Sequence, residues 1–131
     1  MNILYKEMSV VAAGGAIGSV ARLLLSRGVQ AFFPYAELPL GIIVCNISGC
    51  FLIGVLYGIF ELTLLVNPIW RAGLVIGILG GFTTFSSFSI DTVVFLQKGA
   101  YHAALMNIFI SVMVCLLATL LGIYASVIFI K

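Results

Sequence analysis

The chain has 131 residues, of which 63% are hydrophobic and only 8% are charged, and its formal net charge is +2. A soluble globular domain carries about 25% charged residues, and contact with nucleic acid needs a clustered positive charge. A soluble enzyme, a nucleic-acid-binding protein and a disordered segment are therefore excluded, and the mean hydropathy of +1.31 indicates an integral membrane protein.

Four apolar stretches are long enough to cross a bilayer core, which takes about 20 helical residues. They cover approximately residues 8–25, 40–60, 69–96 and 103–130. Pro34, Pro39 and Pro68 lie in or beside the connections, where a missing N–H does no harm. The N-terminus shows no signal-peptide cleavage pattern. We predict an all-α membrane protein with four transmembrane helices that form a single domain over residues 1–131.

Small residues recur every four positions in the first two stretches and predict close helix packing. The rows are Gly14 and Gly18, Gly54 and Gly58, and Gly41, Cys45 and Gly49. Arg22 lies toward the end of the first stretch, where a structural role is expected, and Asn46 lies near the middle of the second.

The third stretch does not fit a plain helix. Its 28 residues would extend about 42 Å, and its centre, residues 77–89, holds three glycines and many hydroxyl groups. Such residues support a helix poorly at mid-membrane. A tilted continuous helix is one interpretation. We favour a helix broken near residues 80–84, which requires that the freed backbone groups be buried in protein or line a wet cavity.

A polar stripe runs along one face of the fourth stretch, because its members are four residues apart. These members are Asn107, Ser111, Cys115 and Thr119. If any one of these residues occurred alone, a hydrogen bond between helices would explain it. A continuous stripe that faces the same bundle as Asn46 and the break indicates a path for a polar solute instead.

Two phenylalanines, Phe85 and Phe88, follow the break on one helical face, with Ser86 and Ser89 beside them. Aromatic ring edges carry partial positive charge, and amide and hydroxyl donors satisfy anions. Carbonyls freed at a helix break suit a small cation. The residues therefore indicate a small ion without naming it.

Candidate catalytic and metal-binding residues are sparse. His102 is the only histidine and lies at the edge of a span, and no Ser/His/Asp set can be assembled. Cys45, Cys50 and Cys115 lack metal-ligand or CxxC spacing and are interpreted as small buried thiols. We expect neither an enzyme nor a side-chain metal site.

The charges flanking the spans leave the orientation undetermined, because the positive-inside rule finds similar numbers on both sides. One side would carry Lys6, Arg71 and Lys131, and the other Arg27 and Lys98, with Arg22 nearby. Either another signal fixes the orientation, or the chain inserts both ways. The balance favours dual topology, whose natural product is an antiparallel homodimer.

Three motifs together resemble the Fluc (CrcB) family of fluoride channels. They are the run GGFTTFSSFS at residues 80–89, the run GGAIGSVAR at residues 14–22, and Asn46 with Gly49. The size and the four spans agree with that family, so the resemblance covers nearly the whole chain.

The resemblance implies an antiparallel, dual-topology homodimer in a bacterial-type inner (plasma) membrane, with two pores that passively export cytoplasmic fluoride. It also implies a structural Na⁺ at the dimer centre, held by the backbone carbonyls of Gly80 and Thr83. The matching pore or anion-binding residues are Asn46, Phe85, Ser86, Phe88, Ser111 and Thr119, and Arg22 matches a structural arginine of the vestibule.

This chain departs from the family pattern at three positions. Ser87 stands where threonine is common, Ile42 replaces a common threonine, and Cys115 replaces a hydroxyl residue of the polar stripe. The main alternative is a small dual-topology, proton-coupled multidrug exporter, which needs a central carboxylate that the spans lack. The nearest candidate for such a carboxylate is Glu7. A noncatalytic assembly subunit would explain the glycine rows but not the polar stripe.

Overall fold

The computed structural model describes residues 2–63 and 66–130. Lys131, which enters the charge comparison, and residues 64–65 of the second connection lie outside the described residues. Within these ranges all regular structure is helical. Helix α1 is Ile3–Phe32, and α2 is Leu40–Thr63. The third span, Pro68–Gln97, divides into α3 (residues 68–82) and α4 (Phe85–Gln97), and the fourth span is α5, Tyr101–Ile130.

The prediction of four membrane-spanning helices is confirmed, because all four spans have the necessary length and apolar composition. The predicted bounds are too short for α1, which has 30 residues and begins and ends outside residues 8–25. Hydropathy detects only the part of a helix that fits the hydrocarbon core, whereas helical hydrogen bonding continues into the polar flanks.

Local chemistry sets the helix ends. The Asn2 side chain accepts a hydrogen bond from the Leu4 N–H and begins α1, as an N-cap residue does. The turn from α4 to α5 uses Gly99, whose φ of 73° favours glycine. The Ala100 N–H there bonds to the Phe95 carbonyl at 2.8 Å.

Two stretches wind as π-helix rather than α-helix, at Ala72–Leu79 in α3 and Ile110–Val114 in α5. No feature of the sequence predicts these stretches. Such wide turns often occur at functional sites, and here each lies within one or two turns of the break or of the polar stripe.

The helices pack in two closely fitted pairs, α1 with α3 and α2 with α5. A Cβ atom at Gly14 would lie 2.6 Å from the Gly73 carbonyl oxygen, and one at Gly18 would collide with the Ile78 carbonyl. In the second pair, a Cβ at Gly54 would collide with the Thr119 carbonyl. The predicted packing role of Gly14, Gly18 and Gly54 is thus confirmed, because only glycine permits these backbones to approach so closely.

Candidate functional site

The third span is broken at Thr83 and Thr84, which have extended backbone conformations. Their φ and ψ angles are −89° and 156° at Thr83, and −151° and 116° at Thr84. The break predicted near residues 80–84 is therefore confirmed.

Asn46 of α2 clamps the broken backbone. Its Oδ1 accepts from the Thr84 N–H at 2.8 Å, and its Nδ2 donates to the Thr84 carbonyl at 3.0 Å. Both residues are buried, so these two bonds satisfy backbone groups that lipid could not satisfy. Since the Thr84 N–H is turned to Asn46, the Gly80 carbonyl loses the partner that a continuous helix would provide.

The two threonines at the break have different roles. The Thr83 N–H and hydroxyl both donate to the Leu79 carbonyl, at 3.0 and 2.9 Å, and so end α3. The Thr84 hydroxyl accepts from the Ser87 N–H at 3.2 Å and begins α4 as its N-cap. Gly49 of α2 makes room for this arrangement, because a Cβ there would collide with the Thr83 methyl group.

Arg22 connects α1 to the same break. Its Nη1 donates to the Thr83 carbonyl at 3.3 Å, and its side chain is half-buried. This contact agrees with the structural role expected for Arg22 and places a positive charge beside the exposed end of α3.

A cavity of about 210 Å³ opens beside the break, between α2, α4 and α5. Its lining residues are Asn46, Cys50, Thr83, Thr84, Phe85, Phe88, Ser111, Val112 and Cys115. The cavity thus brings together Asn46, Phe85, Phe88 and Ser111 of the predicted pore residues. Ser86 and Thr119 are not among its lining residues, although each is hydrogen-bonded close by.

The phenylalanines form one wall of the cavity. The ring centroids of Phe85 and Phe88 lie 5.2 Å apart, with the ring planes inclined at 54°. Phe88 is half-buried, whereas Phe85 is 77% exposed on the single chain. The wall therefore continues onto the outer surface.

The polar stripe connects α5 to both neighbouring helices. Asn107 donates to the Thr92 hydroxyl of α4 at 2.9 Å, and Thr92 donates to the Phe88 carbonyl at 2.8 Å. Ser111 bonds to Asn107 at 3.5 Å, and its side chain lines the cavity. The stripe thus faces the bundle interior, as predicted, and one end of it supports the helix that carries the phenylalanines.

Sequence reasoning missed Cys50 and Thr92 as part of this site. Cys50 lies four residues after Asn46, and Thr92 lies four residues after Phe88. This spacing places each on the same helical face as the residue already singled out, and it is the signal that could have found them.

Charged side chains are absent from the described residues that line the cavity. Asp91, a carboxylate residue of α4, lines a separate cavity with Gln30 and Glu37, beside the connection from α1 to α2. The polar surface of the candidate site therefore consists of neutral amide, hydroxyl, thiol and backbone groups.

Comparison with known proteins identifies related sequences. Residues 9–123 match the family described as "CrcB-like protein, Camphor Resistance (CrcB)". A protein of Geobacter sulfurreducens named fluoride-specific ion channel FluC is 44% identical over 116 residues, which cover 88% of this chain and 93% of that protein. Proteins with the same name from Magnetococcus marinus and Pseudomonas putida are 41% and 44% identical over 88% of this chain, and 94% and 92% of their own lengths are covered.

Proposed function

The chain belongs to the CrcB family, and from this membership and the neutral cavity beside the broken helix we propose that it is a passive fluoride channel. Membership in the family confirms the resemblance found in the sequence. The four apolar spans make the chain a multi-pass membrane protein, and its bacterial channel relatives indicate a bacterial-type inner membrane. A channel transports its ion and is not an enzyme.

The observation that carries the proposal is the composition of the cavity wall. Asn46 keeps a second Nδ2 proton beside the one donated to Thr84, and Ser111 carries a hydroxyl whose bond to Asn107 is long, at 3.5 Å. Phe85 and Phe88 offer their ring edges. A small anion with a high demand for hydrogen bonds fits such a wall without a fixed positive charge. These polar groups lie in the interior of the bundle, where lipid cannot supply hydrogen-bond partners.

Passive export agrees with the chemistry of fluoride. Hydrogen fluoride is a weak acid that crosses membranes as a neutral molecule and ionises in a near-neutral cytoplasm. An anion pore then returns fluoride down its own gradient. A coupling carboxylate is unnecessary for this transport, which fits a cavity whose described lining residues carry no charge.

We propose that the functional unit is an antiparallel homodimer of dual topology. Ser86, Gly80 and Phe85 are exposed on the single chain although they lie at the break in the third span. Hydroxyl and released carbonyl groups are costly against lipid, and a second copy would cover them. Each copy contributes one cavity, so the dimer would hold two pores, with Ser86 and Thr119 flanking the pathway.

We further propose a structural Na⁺ at the centre of this dimer, bound by the carbonyls of Gly80 and Thr83. These groups fit a small cation that prefers oxygen ligands. The Gly80 carbonyl has lost its helical N–H partner, and the Thr83 carbonyl keeps a second lone pair beside its bond from Arg22. The bound ion would join the two copies at the break.

The charge of Arg22 opposes this cation, so Arg22→Gln should bind Na⁺ more tightly than the wild type. The measurement is the thermal midpoint of the purified dimer as NaCl replaces KCl, because a ligand of the folded state raises the midpoint. We expect the rise at a lower Na⁺ concentration in Arg22→Gln and no change in Arg27→Gln, which alters an exposed arginine of α1. Equal midpoints in NaCl and KCl would overturn the Na⁺ site.

Fluoride efflux from liposomes tests the proposed function. The purified protein is reconstituted with internal KF or KCl, and release is followed with a fluoride or chloride electrode after a potassium ionophore is added. We expect rapid fluoride release, no matching chloride release, and no dependence on a proton gradient. Folded protein that releases no fluoride, but accumulates a cationic dye when protons flow outward, would support the exporter instead.

A further inference from the structure

Two cysteines from different helices meet in the cavity beside the break. Cys50 of α2 and Cys115 of α5 both line it, both are free thiols and both are half-buried. Their separation in the sequence concealed this pair, which arises only from the packing of α2 against α5.

The relative position of the two cysteines is fixed by a third residue. The Thr119 hydroxyl lies 3.1 Å from the Cys50 carbonyl oxygen and 3.1 Å from the Cys115 carbonyl oxygen. Close contact of Gly54 with the α5 backbone one turn away keeps the two helices from separating or sliding. The thiols therefore belong to a rigid part of the bundle.

We propose that Cys50 and Cys115 form a dithiol site for a soft divalent metal ion, represented by Hg²⁺, and that metal bound there blocks the fluoride pathway. Thiolate sulfur selects soft ions, and two sulfurs suffice for linear coordination of Hg²⁺. Each thiol loses its proton and forms one sulfur–mercury bond, so that Hg²⁺ and two thiols give a neutral bis-thiolate and two protons. A neutral product is favoured in a cavity surrounded by apolar protein.

The bound metal would lie in the pathway because the same cavity contains Asn46, Phe88 and Ser111. This inference rests on the proposed function only for the block of fluoride. Binding itself is a property of the two thiols. A third cysteine provides a matched control, since the Cys45 thiol is buried and points to the Arg22 carbonyl at 3.7 Å, outside the cavity lining.

The first experiment is a titration of the purified protein with HgCl₂, followed by the near-ultraviolet charge-transfer absorbance of the mercury–thiolate bonds. In the wild type and in Cys45→Ser we expect the absorbance to saturate at one Hg²⁺ per chain. Cys50→Ser and Cys115→Ser should lose this saturation point. Retention of it in both variants, or its loss in Cys45→Ser, would overturn the site.

The second experiment measures fluoride efflux with and without HgCl₂, each variant being compared with its own untreated rate. We expect a fall of about tenfold or more in the wild type and Cys45→Ser, which corresponds to a barrier increase of ~1.4 kcal/mol. A dithiol should reverse the block, and Cys50→Ser and Cys115→Ser should resist it. If the protein binds Hg²⁺ but never conducts fluoride, the proposed channel function is overturned and the metal site stands. If the protein conducts fluoride and binds Hg²⁺ without losing flux, the proposed block of the pathway is overturned.

Discussion

The contact of α1 with α3 differs from the region around the break, where α2 faces α4 and α5. Beyond this region, α2 and α5 also pack backbone against backbone at Gly54. In the contact of α1 with α3, Gly14 and Gly18 bring one backbone directly against another. Around the break, side chains such as Asn46 and Thr119 reach across and bond to the backbone of the neighbouring helix. The contact of α1 with α3 leaves no volume for an added atom, whereas the region around the break encloses a polar cavity. The backbone contact at Gly14 and Gly18 therefore holds α1 against α3, and the hydrogen bonds around the break form the site.

The largest effect should come from adding atoms to the glycine contact. In Gly18→Val, the new side chain meets the Ile78 carbonyl and the Phe82 N–H, so helix α1 must move away from α3. Overpacking costs about 1–3 kcal/mol, and we expect loss of folded protein in detergent, measured by size-exclusion chromatography and thermal unfolding. Gly28→Ala is the control, since a Cβ there meets nothing within 4 Å. Equal behaviour of the two variants would contradict the role of Gly18 in holding α1 against α3.

Replacing the Asn46 side chain, which clamps the break, should slow fluoride conduction strongly in protein that still folds. Asn46→Leu keeps the branched shape of the side chain but leaves the buried N–H and carbonyl of Thr84 unpaired, which raises the free energy of the folded break. We expect fluoride efflux to fall about 100-fold or more, a barrier increase of ~2.7 kcal/mol. Ser48→Ala on the same helix removes a hydroxyl that bonds only to its own helix and should conduct normally. A conducting Asn46→Leu protein would contradict the role of the clamp.

The smallest effect is expected at Thr119, which lies outside the cavity lining and joins α2 to α5. Thr119→Val should lower stability by about 0.6 kcal/mol, the average for such bonds in membranes. Fluoride efflux should remain within about threefold of the wild-type rate, which corresponds to ~0.6 kcal/mol. A much larger loss of flux with unchanged stability would place the hydroxyl directly in the pathway.

Much of the fold could be predicted because a membrane-spanning helix needs a long apolar stretch and close helix packing needs small residues, and both patterns are visible in the sequence. Apolar length gave the four spans, small residues gave the helix contacts, and the run at residues 80–89 gave the break. The extension of α1 and the two π-helical stretches could not be predicted in this way. They depend on hydrogen bonding and packing that hydropathy does not record.

The candidate site was only partly predictable for a similar reason. Asn46, Phe88 and Ser111 could be chosen by residue type and spacing, and the cavity unites them. The bonds from Asn46 to Thr84, and the meeting of Cys50 with Cys115, depend on how distant helices pack. A periodic pattern reports which residues share one helix face, but it does not report which face of another helix they meet.

The most direct test of the central claim is fluoride efflux from liposomes through the variants Phe85→Ile and Phe88→Ile, with Phe109→Ile as the matched control. Phe109 is an exposed phenylalanine of α5 outside the cavity lining. If fluoride passes the ring edges, each cavity variant should slow efflux about tenfold or more, a barrier increase of ~1.4 kcal/mol, while Phe109→Ile keeps the wild-type rate. Wild-type rates in all three folded variants would contradict a pathway through this cavity.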